Sequence, residues 1–153
     1  MPMAVLGIAV AVGGRRPRVS CVLLDGTRDA PIHVGAFDLT TASGDVIGQL
    51  DDLGKQLSSK VSGLNLAAVV IRLADFTPVA NRAEGPRHRL LVEGALAFSC
   101  RSRISEVLVR TGREVGQALG VSKDVADSTG RTLDAKRADA AAAALSALPE
   151  GAP

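Results

Sequence analysis

Residues Leu66-Ala67-Ala68-Val69-Val70-Ile71 form an uninterrupted apolar run without polar alternation. A strand of that kind has both faces covered, because an open face would carry polar residues at every second position. The segment before it is periodic in a different way: Val46, Leu50, Leu53, Leu57 and Val61 recur at steps of four, three, four and four residues, which places them on one helix face. Ser43 is the expected N-cap of that helix, Asp45 suits the positive end of its dipole, and Ser62-Gly63 supplies the stop. Beyond the run, Asp75-Phe76-Thr77-Pro78 breaks the strand, and a second helix is expected from about Glu84 or Arg87 to Arg101. A covered strand between helices requires a layered α/β domain.

Three further strands precede these elements. Met3 to Val12 is rich in Val, Ile and Ala, Gly13-Gly14 gives a turn, and Val19 to Leu24 returns as an antiparallel partner. Asp25-Gly26 is a second turn signal, after which Ile32 to Leu39 reads as a third strand. On the C-terminal side, Glu106 to Arg110 is short enough for a last strand, and helices are expected over Gly112–Leu119, Ser122 to about Thr129, and Asp134–Leu148. The order is β-β-β-α-β-α-β-α, with extra helical material before the last helix. Residues 1–148 read as one domain, with residues 149–153 expected to fray as a disordered tail.

Composition narrows the function classes. A chain of 153 residues with 46% hydrophobic content can bury one core without disulfides or a structural metal. With three Phe and no Trp or Tyr, stacking of bases on exposed aromatic rings is largely unavailable, so any nucleic-acid contact has to be electrostatic. The formal net charge of +2 permits contact with phosphate without requiring it. Cys21 and Cys100 lie in apolar segments without metal-ligand spacing, which makes them expected buried free thiols in a reducing compartment. Arg15, Arg16 and Arg18 interrupt an N-terminal apolar run too short to span a bilayer, so the expected location is the cytoplasm, with no membrane partner. The Ala, Gly and Arg bias points to a GC-rich bacterial or phage genome.

Four segments carry a resemblance to a known family: Leu6-Gly7-Ile8-Ala9 on the first strand, Val69-Val70-Ile71-Arg72 on the covered strand, Glu93-Gly94-Ala95-Leu96-Ala97 on the next helix, and Lys136-Arg137-Ala138-Asp139-Ala140-Ala141-Ala142 on the last. Together with the element order they resemble the ribonuclease H-like superfamily, in its RuvC Holliday-junction resolvase branch. The resemblance implies a mixed five-stranded sheet with helices on both faces. It also implies an Asp after Gly-Ile on strand one, a Glu ending the covered strand, and two acids a turn apart on the last helix. This chain has Ala9, Arg72 and Ala142 at three of those positions and keeps only Asp139.

The substitutions bear directly on chemistry. The phosphodiester hydrolysis that the resemblance implies uses two divalent cations about 4 Å apart. Hard cations need several carboxylate oxygens converging from separate elements. Ala9 and Ala142 offer methyl groups, and Arg72 puts a permanent positive charge where a metal would sit. No catalytic set, metal or cofactor is therefore expected; Mg²⁺ or Mn²⁺ enters only if a displaced site uses Asp75 and Asp139. An Arg ending a covered strand needs a carboxylate or an exit to water, so Arg72 is expected to approach Asp139. His33, His88 and Gly13-Gly14 match neither a nucleophile arrangement nor a phosphate-binding fingerprint.

Basic residues fall in groups: Arg15, Arg16 and Arg18 at the first hairpin, Arg87 and Arg89 at a helix start, then Arg113, Lys136 and Arg137. If they share a face they can track a phosphate backbone without reading sequence. The expected function is a catalytically inactive RuvC-like module that binds DNA, a junction or another structured nucleic acid through these residues. The alternatives are a pseudo-nuclease serving as a protein-interaction or structural subunit, and a divergent metal-dependent junction nuclease. The helix carrying Leu90, Leu91, Gly94, Ala95, Ala97 and Phe98 corresponds to a region that, as the resemblance implies, helps to build a homodimer.

Overall fold

A computed structural model describes residues 3–13, 16–75 and 84–151. Its strands are β1 (Ala4–Gly13), β2 (Arg16–Gly26), β3 (Pro31–Leu39), β4 (Leu66–Leu73) and β5 (Val107–Thr111); its helices are α1 (Val46–Ser62), α2 (Glu84–Arg101), α3 (Gly112–Leu119), α4 (Lys123–Leu133) and α5 (Ala138–Leu145). The sheet order is β3-β2-β1-β4-β5. β1 is antiparallel to β2 and parallel to β4, β2 is antiparallel to β3, and β4 is parallel to β5. The fold is the mixed five-stranded α/β arrangement expected from the sequence.

Alternation along β1 divides the core in two. Leu6, Ile8 and Val10 join Val69 and Ile71 under Leu53, Leu57 and Val61 of α1 and Val92, Leu96 and Cys100 of α2. Val5, Val22, Leu24, Ala68 and Val70 face Val115 of α3, Ala126 of α4 and Ala140–Leu145 of α5. β4 contributes to both layers, which explains its unbroken apolar run. The alanines of α5 allow close approach: Ala140 to Ala144 are fully buried, and a Cβ on Gly7 would overlap the Ala140 carbonyl and lie 2.6 Å from the Ala144 amide.

Several boundaries differ from the sequence reading for identifiable reasons. α1 is capped by Asp45, whose carboxylate accepts from the Gly48 amide at 2.9 Å, while Ser43 donates to Asp45 and does not cap. β2 begins at Arg16, not Val19, because Arg16-Pro17-Arg18 pairs with Ala11-Val12-Gly13 of β1 and so gains a ladder that its own propensity does not favour. α4 runs through Gly130 to Leu133; a Cβ at Gly130 would overlap the Ala138 carbonyl and lie 3.0 Å from the Ala142 Cβ, so this glycine serves helix contact and not helix termination. α5 starts at Ala138, not Asp134, since the Asp134 carboxylate accepts from the Lys136 and Arg137 amides in a turn of its own. The last strand is shifted by one residue and ends at Thr111, which forms a capping box with Glu114 and starts α3.

The polar ends of α5 are also built from distant residues. Arg28 donates to the carbonyls of Ser146 and Leu148 at 3.0 Å and of Ala118 at 2.8 Å, and Arg110 donates to Ser146 at 2.9 Å. Two guanidiniums thus satisfy carbonyls at the negative end of the helix. The Arg28 amide also donates to the Pro149 carbonyl at 3.0 Å.

Cys21 and Cys100 are free and fully buried. Burial pushes both thiols up, Cys100 to about 12, so neither presents a thiolate at neutral pH. In a disulfide-exchange reagent at pH 8 we expect negligible labelling of folded protein and two equivalents after denaturation. Rapid labelling of either thiol in the folded state would contradict this packing.

Candidate functional site

Ala9 and Arg72 are register partners across β1 and β4, so two of the positions singled out in the sequence lie side by side. Both are on the sheet face that α5 covers, where Asp139 begins the helix. Arg72 is only 4% exposed. Its Nη1 donates to Asp127 Oδ1 of α4 at 3.2 Å and lies 3.8 Å from Asp139 Oδ1. The expected approach of Arg72 to Asp139 is present, but Asp127 is the nearer partner and sequence reasoning did not identify it. The i,i+4 pair Lys123 and Asp127 was visible in the sequence; its placement against β4 is a consequence of tertiary packing.

A second cation completes the cluster. Lys123 Nζ donates to Asp127 Oδ2 at 2.8 Å and is 3.7 Å from Asp75 Oδ2. The guanidinium itself rests against the start of α3: a Cβ on Gly112 would overlap Arg72 Nη2 and approach Lys123 Cε to 2.7 Å. Asp75, just after β4, Asp127 of α4 and Asp139 of α5 thus each lie against Arg72 or Lys123.

This arrangement does not fit the two-cation set of a nuclease. Ala9 brings no oxygen, Ala142 is fully buried against Gly130, and the nearby carboxylates are paired with Arg72 and Lys123. Among the described residues no three His, Cys, Asp or Glu side chains are grouped so as to hold a metal ion. Burial works to raise the Asp127 pKa, but the Lys123 hydrogen bond and the Arg72 charge outweigh it and hold the carboxyl below its usual range.

Beside this cluster a cleft of about 300 Å³ opens between β1 and the α4–α5 turn, lined by Ala9, Ser20, Arg131, Lys136, Arg137 and Asp139 among others. Ala9 pairs with Ser20, Ala11 with Arg18 and Gly13 with Arg16, so Arg16 and Arg18 project from the same sheet face toward the outer end of the cleft. Arg137 donates to both oxygens of Asp38, at 2.9 and 3.2 Å, and Arg18 pairs with the same carboxylate. These two cations are committed to the fold. Arg16, Arg131 and Lys136 are exposed and form no ion pair among the described residues.

The other candidates separate from this cleft. Arg89 Nε donates at 3.0 Å to Glu93, which is 1% exposed, and the same carboxylate accepts from the Ala74 amide. Arg87 is on α2, which packs on the opposite sheet face, and Arg113 is exposed at the start of α3. Arg15 lies outside the described residues. His33 meets Asp134 at 3.0 Å and His88 meets Gln49 at 2.6 Å, both in contacts that tie elements together.

Burial favours the neutral form of Asp38 and Asp134, but hydrogen bonds and charges from Arg137, Arg18 and His33 outweigh it and lower both pKa values. Such groups are less protonated in the folded than in the unfolded state, so their stabilisation is complete above the ordinary carboxylate range near about 4 and is lost as pH falls through their lower folded values. We expect the urea midpoint to decline below about pH 4, and the decline to be shallower in Asp38→Asn. A midpoint unchanged down to pH 3 would contradict these ion pairs.

No protein-family model matches the sequence, and no curated protein matches it. Solved structures do. RuvC of Thermus thermophilus superposes with a TM-score of 0.69 at 16% identity, covering 94% of this chain and 92% of that one. RuvC of T. thermophilus in complex with a Holliday junction substrate superposes with a TM-score of 0.67 at 15% identity, covering 94% and 91%. The agreement extends over nearly the whole of both chains, and with the strand order, the register of β1 on β4 and the placement of α5 it identifies the fold of this chain as ribonuclease H-like, in its RuvC form.

Proposed function

We propose that this chain is a RuvC-like module that holds a nucleic-acid backbone at the sheet edge over Ala9 and does not hydrolyse it. The observation that carries this reading is the replacement of a carboxylate pole by a buried guanidinium: Arg72, in register with Ala9, is neutralised by Asp127 and Asp139 instead of coordinating anything. Arg16, Arg131 and Lys136, exposed at the same edge and without an ion pair among the described residues, supply the attraction to phosphate. The absence of Trp and Tyr directs that attraction to the backbone and away from stacked bases. The similarity to a RuvC complexed with a Holliday junction makes a four-way junction the first ligand to try.

The test is binding of fluorescent four-way junction, duplex and single-stranded DNA in EDTA across a salt series. Binding to junction and duplex whose affinity falls linearly on logarithmic axes with salt is expected. No binding at low salt would overturn the proposal.

One observation favours a second reading, a surface that joins two copies. Phe98 is 80% exposed, and Ile47, Leu90 and Leu91 are exposed beside it on α1 and α2. Phe98 lines a shallow groove with Ile47, Leu50, Gly54 and Ala95. Light scattering of wild type and Phe98→Asp decides this: a dimer converted to monomer supports it, and a monomeric wild type removes it.

A further inference from the structure

We propose that Glu93 is a buried proton site that sets how firmly the end of β4 is held between Arg72 and Asp75. It needs no bound ligand and does not rest on the nucleic-acid reading.

The bonding of Glu93 is one-sided. The residue lies within α2 and is only 1% exposed. Its Oε2 accepts from Arg89 Nε at 3.0 Å and from the Ala74 amide at 3.2 Å. Oε1 is also buried and has no hydrogen-bond partner. A bare buried oxygen is costly while the carboxylate is charged. A proton on Oε1 removes that charge and leaves Oε2 free to keep both donors.

The surroundings do little to hold the charged form. Burial pushes the Glu93 carboxyl up, and the opposing pull of Arg89 and the Ala74 amide is too small to reverse it. Among the described residues Arg89 is the only charged group that acts on it. The neighbouring ionisable groups are engaged elsewhere. Asp75, after β4, lies 3.7 Å from Lys123, and His88 of α2 is bonded at 2.6 Å to Gln49 of α1. On α1, Asp51 pairs with Lys55, and on β5 Arg110 donates to Ser146.

The position of the Ala74 bond gives the proton its effect. Ala74 falls between Arg72, held by Asp127, and Asp75, beside Lys123. α2 thus grips the backbone of this stretch from one sheet face while α4 grips its side chains from the other. Protonation turns the Ala74 bond from a charge-assisted one into a neutral one of about half the strength. It also leaves Arg89 without its counter-charge. Acidification therefore loosens the end of β4 without unpacking the core.

The test follows the Glu93 side-chain carbon in ¹³C-labelled protein by NMR from pH 8 to pH 4. Exchange of the Ala74 amide is measured over the same range and corrected for its intrinsic pH dependence. The carboxyl is expected to titrate above the ordinary glutamate value of about 4.3. The Ala74 amide should shift with the same midpoint, and its protection should fall roughly fivefold across it. In Glu93→Gln that midpoint should vanish from the Ala74 shift, with protection at the low level throughout.

Stability supplies a second readout. A carboxyl whose folded value is raised binds its proton more tightly in the folded than in the unfolded chain. Wild type should therefore gain urea midpoint relative to Glu93→Gln as pH falls through the folded value toward the ordinary one, opposite in sign to Asp38 and Asp134. Taking the difference cancels any fixed cost of the glutamine. Titration at or below the ordinary value, an Ala74 amide that does not follow Glu93, or a gap that is constant or shifts the other way would each overturn the proton site and leave Glu93 as a structural ion pair with Arg89.

Discussion

Replacing Arg72 with methionine is expected to cost the fold about 3 kcal/mol, read as a lower urea midpoint with an unchanged slope. Methionine keeps much of the apolar stem, so the loss comes from the guanidinium and not from a large cavity. Asp127 would retain Lys123 at 2.8 Å but lose the partner at 3.2 Å, and Asp139 would lose its nearest cation. The slot beside Gly112, shaped for a planar group against backbone, would be filled by a flexible thioether. Asp127→Asn should also destabilise, and the double variant should lose less than the sum of the two, because both substitutions remove the same contact. A neutral Arg72→Met, or strictly additive losses, would mean that Arg72 is solvated and not held between α3, α4 and α5.

Gly7→Ala is expected to be of comparable severity, at about 3 kcal/mol. The added methyl would meet the carbonyl of Ala140 and the amide of Ala144, which are backbone atoms of a helix buried along its length. No rotamer change relieves that overlap; α5 must lift from β1. Since α5 carries Asp139 and borders the cleft, the variant should also weaken DNA binding. Ala9→Gly, one turn of the strand pleat away, is the contrasting control, with a loss of about 1 kcal/mol from backbone entropy alone. If Gly7→Ala keeps wild-type stability, the close packing of α5 on β1 is wrong.

Much of this architecture was legible from the residues. The unbroken run at Leu66–Ile71 identified a two-sided strand, the spacing from Val46 to Val61 identified α1, and Asp25-Gly26 gave the turn, with Gly26 at a φ of +83° and its amide held by Asp25. Boundaries failed where long-range partners overrode local preference: Pro17 pairs because β1 is beside it, and Gly130 stays helical because α5 crosses there. At the site, the approach of Arg72 to Asp139 was expected from the sequence, whereas the register of Ala9 with Arg72 emerges only from the pairing of β1 with β4. Asp127 was not expected, since nothing in Lys123-Asp124-Val125-Ala126-Asp127 indicates which helix face meets β4. The basic residues were the least legible, because a sequence does not distinguish Arg137, held by Asp38, from Lys136, one position earlier and unpaired among the described residues.

Arg72 and Lys123 are paired with Asp75, Asp127 and Asp139 beside Ala9, and the function proposed above requires that this edge bind a nucleic-acid backbone without cleaving it. Incubating a labelled four-way junction with saturating protein in Mn²⁺, and resolving the same sample on native and denaturing gels, tests both parts at once. A retarded complex containing only intact strands is the predicted result. Nicked strands that disappear in Asp139→Asn would contradict it and assign Asp139 to catalysis.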